Sequence, residues 1–289
     1  MNYINVIKSG LFSVVVVIGI LSFISCDKIS KSDRNKIDIS FIPSDTPSFP
    51  ALDILFQKYL LEDFTGHRCA NCPAAHVVAN KLKAQMKDTL VLMVLHVGTL
   101  AKPLGALFSA DFMTDAGTEY AREFGITSNP NGMINRMLFN GNRRVAYNEW
   151  EIKFNELVRK SADVGIQIIA KNDNENSTVF IKTSLLNDVA QNLQLCVLLT
   201  EDNIISPQEL KNEIDTFYVH NHVLRTSITP DVWGDILDIS KNGEFVIKAY
   251  SIDFKNNTAW RKENCNIVAF VYDKDTKEIL QVEEIAINN

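Results

Sequence analysis

The hydrophobic positions in the first half of the chain change period, and each change predicts a new element. One stretch carries an apolar residue at every fourth position, the spacing of one buried helical face: Ala74, Val78, Leu82 and Met86. Apolar runs at 56–64 and 90–97 flank this helix, and the second is nearly continuous, as expected for a strand buried on both faces. The order strand, helix, strand predicts a parallel crossover unit.

The same half continues with a second group of elements. After a connection rich in glycine, proline and phenylalanine, the pattern predicts a helix over 115–124 and a strand over 132–139. Asn140-Gly141 is a pair typical of two-residue hairpin turns, so a short strand over 143–147 is expected to follow it. A helix over 149–161 then ends this half.

Beyond residue 162 the pattern changes to short β-rich runs separated by polar turns. Five of these runs are predicted strands: 165–170, 178–186, 193–199, 245–252 and 267–272. Short strands without long helices between them are typical of an antiparallel β-sandwich, here expected to be Ig-like. The predicted fold class is therefore α/β plus all-β, with one domain over 51–162 and a second over 163–289.

The N-terminus carries an export signal. Lys8 precedes an apolar run over 11–24, which is shorter than the ~20 residues that a membrane-spanning helix needs. The run ends at Ser25-Cys26, which resembles a lipoprotein cleavage site. Residues 1–25 are therefore interpreted as a signal peptide, Cys26 as a lipidated N-terminus and 26–50 as a polar tether. A plain signal peptide with an incidental cysteine is the alternative.

Composition narrows the function classes. The chain has 289 residues, 46% of them hydrophobic, and a net charge of -6 without a basic stripe, so no nucleic-acid surface is expected. In an exported protein the close pair Cys69 and Cys72 favours disulfide chemistry over metal binding. No second cysteine or histidine pair follows at ligand spacing, so we expect neither a metal nor a cofactor.

The Cys69-Ala70-Asn71-Cys72 motif opens the first helix, where unpaired N–H groups and the helix dipole stabilise a thiolate. Cys69 is predicted to be the accessible, attacking sulfur, and Cys72, one turn deeper, the resolving sulfur. The alternative is a static disulfide that only fastens the start of the helix.

Two motifs resemble a known family. Residues 63–73, which read Asp-Phe-Thr-Gly-His-Arg-Cys-Ala-Asn-Cys-Pro, and residues 132–136, which read Gly-Met-Ile-Asn-Arg, are similar to the outer membrane protein 28 family, lipoproteins of Bacteroidetes-type bacteria. Residues 60–161 also resemble a thioredoxin fold. This resemblance implies an outer-membrane location, a buried acid at Asp63 and a cis proline at Pro130 that faces the cysteine pair.

Polar residues near the motif add candidates. Asp63 is a candidate to pass a proton to or from Cys72 if it is buried, and a solvated acid otherwise. His96 ends the strand parallel to the one before the motif, so it is a candidate for stabilising the Cys69 thiolate; a hydrogen-bonded strand-end histidine is the alternative. The polar Asn129 and Asn131 beside Pro130 depart from the thioredoxin pattern, which leaves the substrate open.

Later residues allow further interpretations. Cys196 and Cys265 are either an inter-sheet disulfide or two buried thiols. His220 and His222 are either a metal-binding pair or part of a polar strand face.

Two functions follow from these patterns. The first is a lipid-anchored thiol–disulfide oxidoreductase of the cell envelope that acts on cysteines of other exported proteins. The second is a non-catalytic surface adhesin or receptor whose cysteine pair is a structural disulfide.

Overall fold

The computed structural model describes residues 38–39, 45–53, 56–173 and 175–288. The predicted signal peptide, the predicted lipidation site Cys26 and most of the predicted tether lie outside the described residues.

The described chain is mostly sheet with three α-helices. The helices are α1 (Cys72–Met86), α2 (Asp115–Glu123) and α3 (Trp150–Glu156). The strands are β1 (Asp38–Ile39), β2 (Tyr59–Thr65), β3 (Leu90–His96), β4 (Asn131–Ile134), β5 (Val164–Asn172), β6 (Asn176–Leu185), β7 (Leu193–Glu201), β8 (Ile204–Ile205), β9 (Gln208–Glu209), β10 (Ile214–Asp215), β11 (Val219–His220), β12 (Val223–Ser227), β13 (Asp235–Leu237), β14 (Phe245–Asp253), β15 (Cys265–Asp273) and β16 (Ile279–Ala286).

The larger sheet runs through both halves of the chain. Its strands are hydrogen-bonded in the order β16-β15-β7-β12-β3-β2-β4, with β13 also paired to β7. β2 and β3 are parallel, as the crossover unit predicts, and β4 joins β2 antiparallel. On the other side of β3, the parallel neighbour is β12, which comes from the C-terminal half. The sheet therefore crosses the predicted boundary at 162/163, and the division into two domains stays a prediction.

A second, smaller sheet has the order β1-β14-β6-β5 and is antiparallel throughout. It packs on β7 and β15 of the larger sheet, and together they bury one hydrophobic core, which includes Ile181, Leu195, Leu199, Ile267 and Val271. The C-terminal half thus has two packed layers, and one of these layers belongs to the sheet shared with the N-terminal half.

The helices cover the two faces of β2 and β3. Alternate residues of a strand point to opposite faces. Leu61 and Leu92 pack with α1 and α3, whereas Phe64 and Met93 pack with α2 and the C-terminal strands. Asp63 therefore faces α1, and its neighbour Glu62 faces the opposite side of the sheet.

Some predicted elements are shorter than the sequence indicates. The strand predicted over 132–139 ends at Ile134, because Asn135 and Arg136 adopt positive φ angles of 46° and 52°. The turn at Asn140-Gly141 is present with positive φ, but the strand expected after it is reduced to a single bridge between residues 132 and 145. The helix predicted over 149–161 ends at Glu156.

Candidate functional site

A disulfide joins Cys69 and Cys72 at the beginning of α1, so the predicted bridge at the start of this helix is confirmed. The chain reaches it through Gly66, where an added Cβ would lie only 2.7 Å from the backbone carbon of Leu100. Only glycine fits this close approach. Pro73 lies in the first turn of α1, where the missing N–H breaks no helical hydrogen bond.

A segment of the C-terminal half covers the disulfide. We call residues 204–220 the covering segment; they contain the two short strand pairs β8/β11 and β9/β10. The Gln208 side-chain amide donates to the carbonyl oxygen of Cys69 at 3.1 Å, and the Glu209 backbone N–H donates to the carbonyl oxygen of His67 at 2.8 Å. These bonds hold the covering segment against the motif.

This cover overturns one expectation. Cys69 is 3% exposed and Cys72 is fully buried, so neither sulfur is accessible in this structure. The prediction of an accessible Cys69 was wrong for this conformation, because residues about 140 positions further along the chain close over the motif.

Asp63 is buried on the α1 side of β2. It is 2% exposed, and neither carboxylate oxygen has a hydrogen-bond partner among the residues that the structure describes. The nearest ion-pair partner is His76, whose Nε2 lies 3.7 Å from Oδ2 of Asp63. The alternative of a solvated acid is therefore excluded. His76 follows Cys72 by four residues on α1, so both side chains lie on the same face of the helix.

Two hydroxyl groups fix the His76 ring. Its Nδ1 lies 2.8 Å from the Tyr218 hydroxyl of the covering segment, and its Nε2 lies 3.1 Å from the Thr65 hydroxyl. Tyr218 is half-buried. The site thus contains a continuous series of polar groups from Asp63, through His76, to the partly exposed Tyr218.

Burial sets the protonation of these groups. Removal from water disfavours a charge, so burial raises the pKa of Asp63 to about 8. The same effect, with a smaller contribution from His220, lowers the pKa of His76 to about 4. Burial also raises the pKa of Tyr218 to about 12. Near neutral pH the three groups are therefore uncharged.

Pro130 lies at the same end of the sheet as the cysteine motif. The Asn129–Pro130 peptide bond is cis, in agreement with the sequence expectation. The Asn129 side-chain amide donates to the carbonyl oxygens of Thr65 and Val97 at 2.8 and 3.0 Å. Asn129 therefore connects the ends of β2 and β3 directly before the proline.

His96 lies in an aromatic cluster. Its ring is 4.9 Å from Phe112, 5.6 Å from His220 and 6.3 Å from His67, measured between ring centroids. Within the described part of the chain neither ring nitrogen has a hydrogen-bond partner, so the structure does not support the alternative of a hydrogen-bonded strand-end histidine. Burial lowers its pKa well below the ordinary value, and an uncharged His96 results. Stabilisation of a Cys69 thiolate by His96 stays a prediction.

His220 and His222 do not act as a pair. His220 is buried and its Nε2 lies 3.2 Å from the carbonyl oxygen of Ser206, whereas Nδ1 of His222 lies 3.4 Å from Asp202. Within the described part of the chain, no group of three or more histidine, cysteine or acidic side chains has the geometry to hold a metal ion.

Cys196 and Cys265 are separate buried thiols, so of the two alternatives that the sequence left open the inter-sheet disulfide is excluded. Cys196 packs in the core beside α2, whereas Cys265 packs in the core between the two sheets. Their side chains lie on opposite faces of the larger sheet, out of reach of each other.

Sequence reasoning missed much of the surroundings of Asp63. All five histidines of the chain lie around this site, and His76, Gln208 and Tyr218 had not been singled out. A signal for His76 was present, because its four-residue spacing from Cys72 places it on the same helical face. No local signal marks Gln208 or Tyr218.

These features define a mixed α/β protein that is mostly sheet. A disulfide lies at the start of its first helix, and a buried acid on the neighbouring strand faces this helix. No helix among the described residues is long and apolar enough to cross a membrane. The sequence profile of the family "Outer membrane protein Omp28" matches residues 117–289, which include the 132–136 motif but not the cysteine pair. The chain belongs to this family of outer membrane proteins of the cell envelope, as the resemblance of the 132–136 motif predicts.

Two solved structures are similar to this chain to different extents. HBP35 of Porphyromonas gingivalis is similar over 81% of this chain and 76% of its own, with a TM-score of 0.59 and 16% identity. A domain of the outer membrane lipoprotein Omp28 from Porphyromonas gingivalis aligns with 44% of this chain and 88% of its own, with 26% identity and a TM-score of 0.32. A search of curated proteins found no significant match.

Proposed function

We propose that this protein is an outer-membrane lipoprotein whose thioredoxin-like half, residues 51–162, exchanges disulfides with cysteines of other exported proteins. An Ig-like β-sandwich half, residues 163–289, follows it and supplies the cover of the site. Cys69 is the attacking sulfur, Cys72 the resolving sulfur and Asp63 the group that passes a proton to and from Cys72, with Pro130 and His96 as further residues of the site.

The observation that carries this proposal is the state of Asp63. Burial of a polar group without hydrogen-bond partners costs on the order of 1–3 kcal/mol, and both oxygens of this carboxyl have none. A static disulfide has no need of such a group. A pair that cycles between disulfide and dithiol needs a proton acceptor near the resolving sulfur, with a pKa close to the working pH. Burial raises the pKa of Asp63 to about 8, which meets the pKa requirement, and Asp63 faces α1, the helix that begins at Cys72.

Exchange requires the covering segment to move. The sulfurs are buried under Gln208 and Glu209, so a substrate reaches Cys69 only when these contacts open. The strands of the covering segment are only two residues long, and such short pairs open more readily than the long strands of the core.

The burial of both cysteines also favours a second candidate, a structural disulfide in a non-catalytic surface lipoprotein. In the chain-entropy description, a loop of this length stabilises the fold by about 2 kcal/mol. The two candidates differ in whether the folded protein exchanges its disulfide.

The test is reduction of the folded protein by dithiothreitol, followed by alkylation and mass spectrometry. An exchanging site becomes reduced while near-UV circular dichroism stays native, and Asp63→Asn slows the reaction about 10-fold or more at pH 7. Asp111→Asn, which removes an exposed acid, is the matched control. Reduction that occurs only with unfolding supports the structural disulfide and rejects the proposed exchange.

The membrane anchor is tested separately. Acyl chains on Cys26 after removal of residues 1–25 are expected to hold the mature protein at the membrane. Cys26→Ser is expected to release it into the soluble fraction, whereas Cys196→Ser, which changes a buried thiol, keeps it bound. Retention of the Cys26→Ser protein in membranes contradicts lipidation at this residue.

A further inference from the structure

The inference starts from the polar groups between Asp63 and the surface. Tyr218 Oη lies 2.8 Å from His76 Nδ1, and His76 Nε2 lies 3.7 Å from Asp63 Oδ2. A small cavity beside them is lined by residues of α1, β2, β3 and the segment 218–222, among them Asp63, His76, Tyr218 and His222. Asp63 is 2% exposed and His76 13%, while Tyr218 is half-buried, so exposure increases along the series.

We propose that His76 and Tyr218 are positioning residues that carry protons between Asp63 and solvent while the Cys69–Cys72 disulfide is exchanged. This inference rests on the proposed function and extends it to two residues outside the cysteine motif, one of them from the C-terminal half of the chain.

The proton has a defined route in each turnover. A thiolate of an external dithiol attacks the Cys69 sulfur, the Cys69–Cys72 bond breaks, and Cys72 leaves as a thiolate that takes a proton from Asp63. The second thiol of the dithiol then loses its proton to solvent and displaces Cys69, which leaves as a thiolate. This completes an external disulfide, so two electrons have moved to the pair. Asp63 regains its proton through His76: Nε2 gives up a proton and Nδ1 receives one from Tyr218, which is reprotonated by water.

The local geometry supports this route over direct contact with water. Asp63 has no hydrogen-bond partner of its own, and His76 is its nearest ion-pair partner. With Tyr218 donating to Nδ1, the hydrogen of the imidazole lies on Nε2 and faces Thr65 and Asp63. The 3.7 Å gap to Asp63 must shorten for transfer, as is common for catalytic contacts in unliganded sites.

Neighbouring groups permit transfer at neutral pH. The titratable residues around His76 are Asp63 on β2, His96 on β3, His220 and Tyr218 on the covering segment and, through Tyr218, Asp215. Burial lowers the pKa of both His76 and His220 to about 4, so both are uncharged at pH 7. A neutral imidazole can accept on one nitrogen while it donates from the other.

The experiment measures turnover with the full protein. A small peptide with one disulfide is the substrate, dithiothreitol is the reductant, and rates are followed across pH. Tyr218→Phe and His76→Ala are each expected to lower the rate about 10-fold at pH 7. Added imidazole is expected to restore the rate of His76→Ala, because it replaces the missing proton carrier. It is not expected to restore the rate of Asp63→Asn, which lacks the carboxyl that exchanges a proton with Cys72.

The matched control is Tyr250→Phe. This substitution also removes a tyrosine hydroxyl hydrogen bond, the one that Tyr250 donates to Asp235 at 2.7 Å. Tyr250 lies on β14, away from the cysteine motif. Its rate and pH profile are expected to equal those of the wild type. If His76→Ala does not fold, Tyr218→Phe alone decides.

The possible failures are distinguishable. Wild-type turnover with unchanged rates and pH profiles in Tyr218→Phe and His76→Ala rejects the proton route and leaves the proposed function intact. Loss of rate without rescue by imidazole assigns His76 a structural role and also rejects the route. A wild-type protein that never turns over while folded rejects both proposals.

Discussion

Two adjacent acids on β2 show how differently this fold treats a buried carboxylate. Glu62 and Asp63 are 0% and 2% exposed and point to opposite faces of the larger sheet. Glu62 accepts two close hydrogen bonds from Arg136, at 2.7 Å from Nη2 and 2.9 Å from Nε. Asp63 accepts none.

The surroundings of the two acids differ in the same sense. The Arg136 guanidinium lies 4.4 to 5.8 Å from the centroids of five aromatic rings: Tyr120, Phe124, Trp233, Phe270 and Tyr272. Cation–π contacts of this kind add to the ion pair. On the Asp63 side, by contrast, the nearest ionisable side chain is that of His76, and burial keeps this histidine uncharged at pH 7. A buried acid with matched partners supports the structure, whereas one without them is available for proton transfer.

Of the substitutions that test this difference between the two acids, removal of the partner of Glu62 is expected to have the largest effect on stability. Arg136→Met leaves a buried carboxylate unpaired, and breaking such a pair typically costs about 3–5 kcal/mol. We expect a loss of this size in the free energy of unfolding, measured by urea denaturation at pH 7. The double variant Glu62→Leu with Arg136→Met is expected to recover most of it, since apolar replacement of both partners is often near neutral. A loss below about 1 kcal/mol in the single variant would show that Glu62 is not held as a buried ion.

The second prediction concerns how the contribution of Asp63 to the free energy of unfolding depends on pH. The pKa of Asp63 in the folded protein is raised to about 8, whereas an unfolded aspartate has a pKa of about 3.9. The folded state therefore keeps a proton that the unfolded state releases, and the contribution of Asp63 to stability is greatest below about pH 4 and is lost as the pH rises to about 8.

Asp63→Asn removes this dependence. Each pH unit between the two pKa values corresponds to ~1.4 kcal/mol, so the wild type is expected to lose about 3.5 kcal/mol relative to the variant from about pH 5 to pH 8. The buried histidines, whose pKa values are lowered, act in the opposite direction below about pH 6.5, and comparison at each pH cancels them. The measurement is urea denaturation of both proteins across this range. A constant difference would mean that Asp63 ionises normally in the folded state.

The part of the site that comes from residues 63–130 could be predicted from sequence, whereas the part that comes from the covering segment could not. The four-residue period in α1, the apolar run of β3 and the cysteine spacing are local signals, and the structure has each of them where they were expected. The cis proline was expected only through the resemblance to a family. These features depend on residues that lie close together in the chain.

The missing half depends on long-range contacts. β12 enters the larger sheet beside β3, and this brings the covering segment onto the motif. The bond from Gln208 to Cys69 joins residues 139 positions apart, and Tyr218 and His76 are 142 apart. No periodicity within a short window contains such pairings. The burial of Cys69 was therefore mispredicted, because helix position alone indicates an exposed sulfur.

The smallest expected effect on stability comes from the cover itself. Gln208→Ala removes the hydrogen bond to the Cys69 carbonyl oxygen and is expected to cost about 1 kcal/mol of unfolding free energy, while it speeds reduction of the disulfide by dithiothreitol in the folded protein. Gln57→Ala is the matched control, because Gln57 is also buried and its side-chain amide donates a hydrogen bond to the carbonyl oxygen of Ile279, at the opposite end of β2 from the cysteine motif. It is expected to lose similar stability without faster reduction. Equal acceleration in both variants would mean that the disulfide is reduced only when the protein unfolds. The covering segment would then not open separately from the rest of the fold.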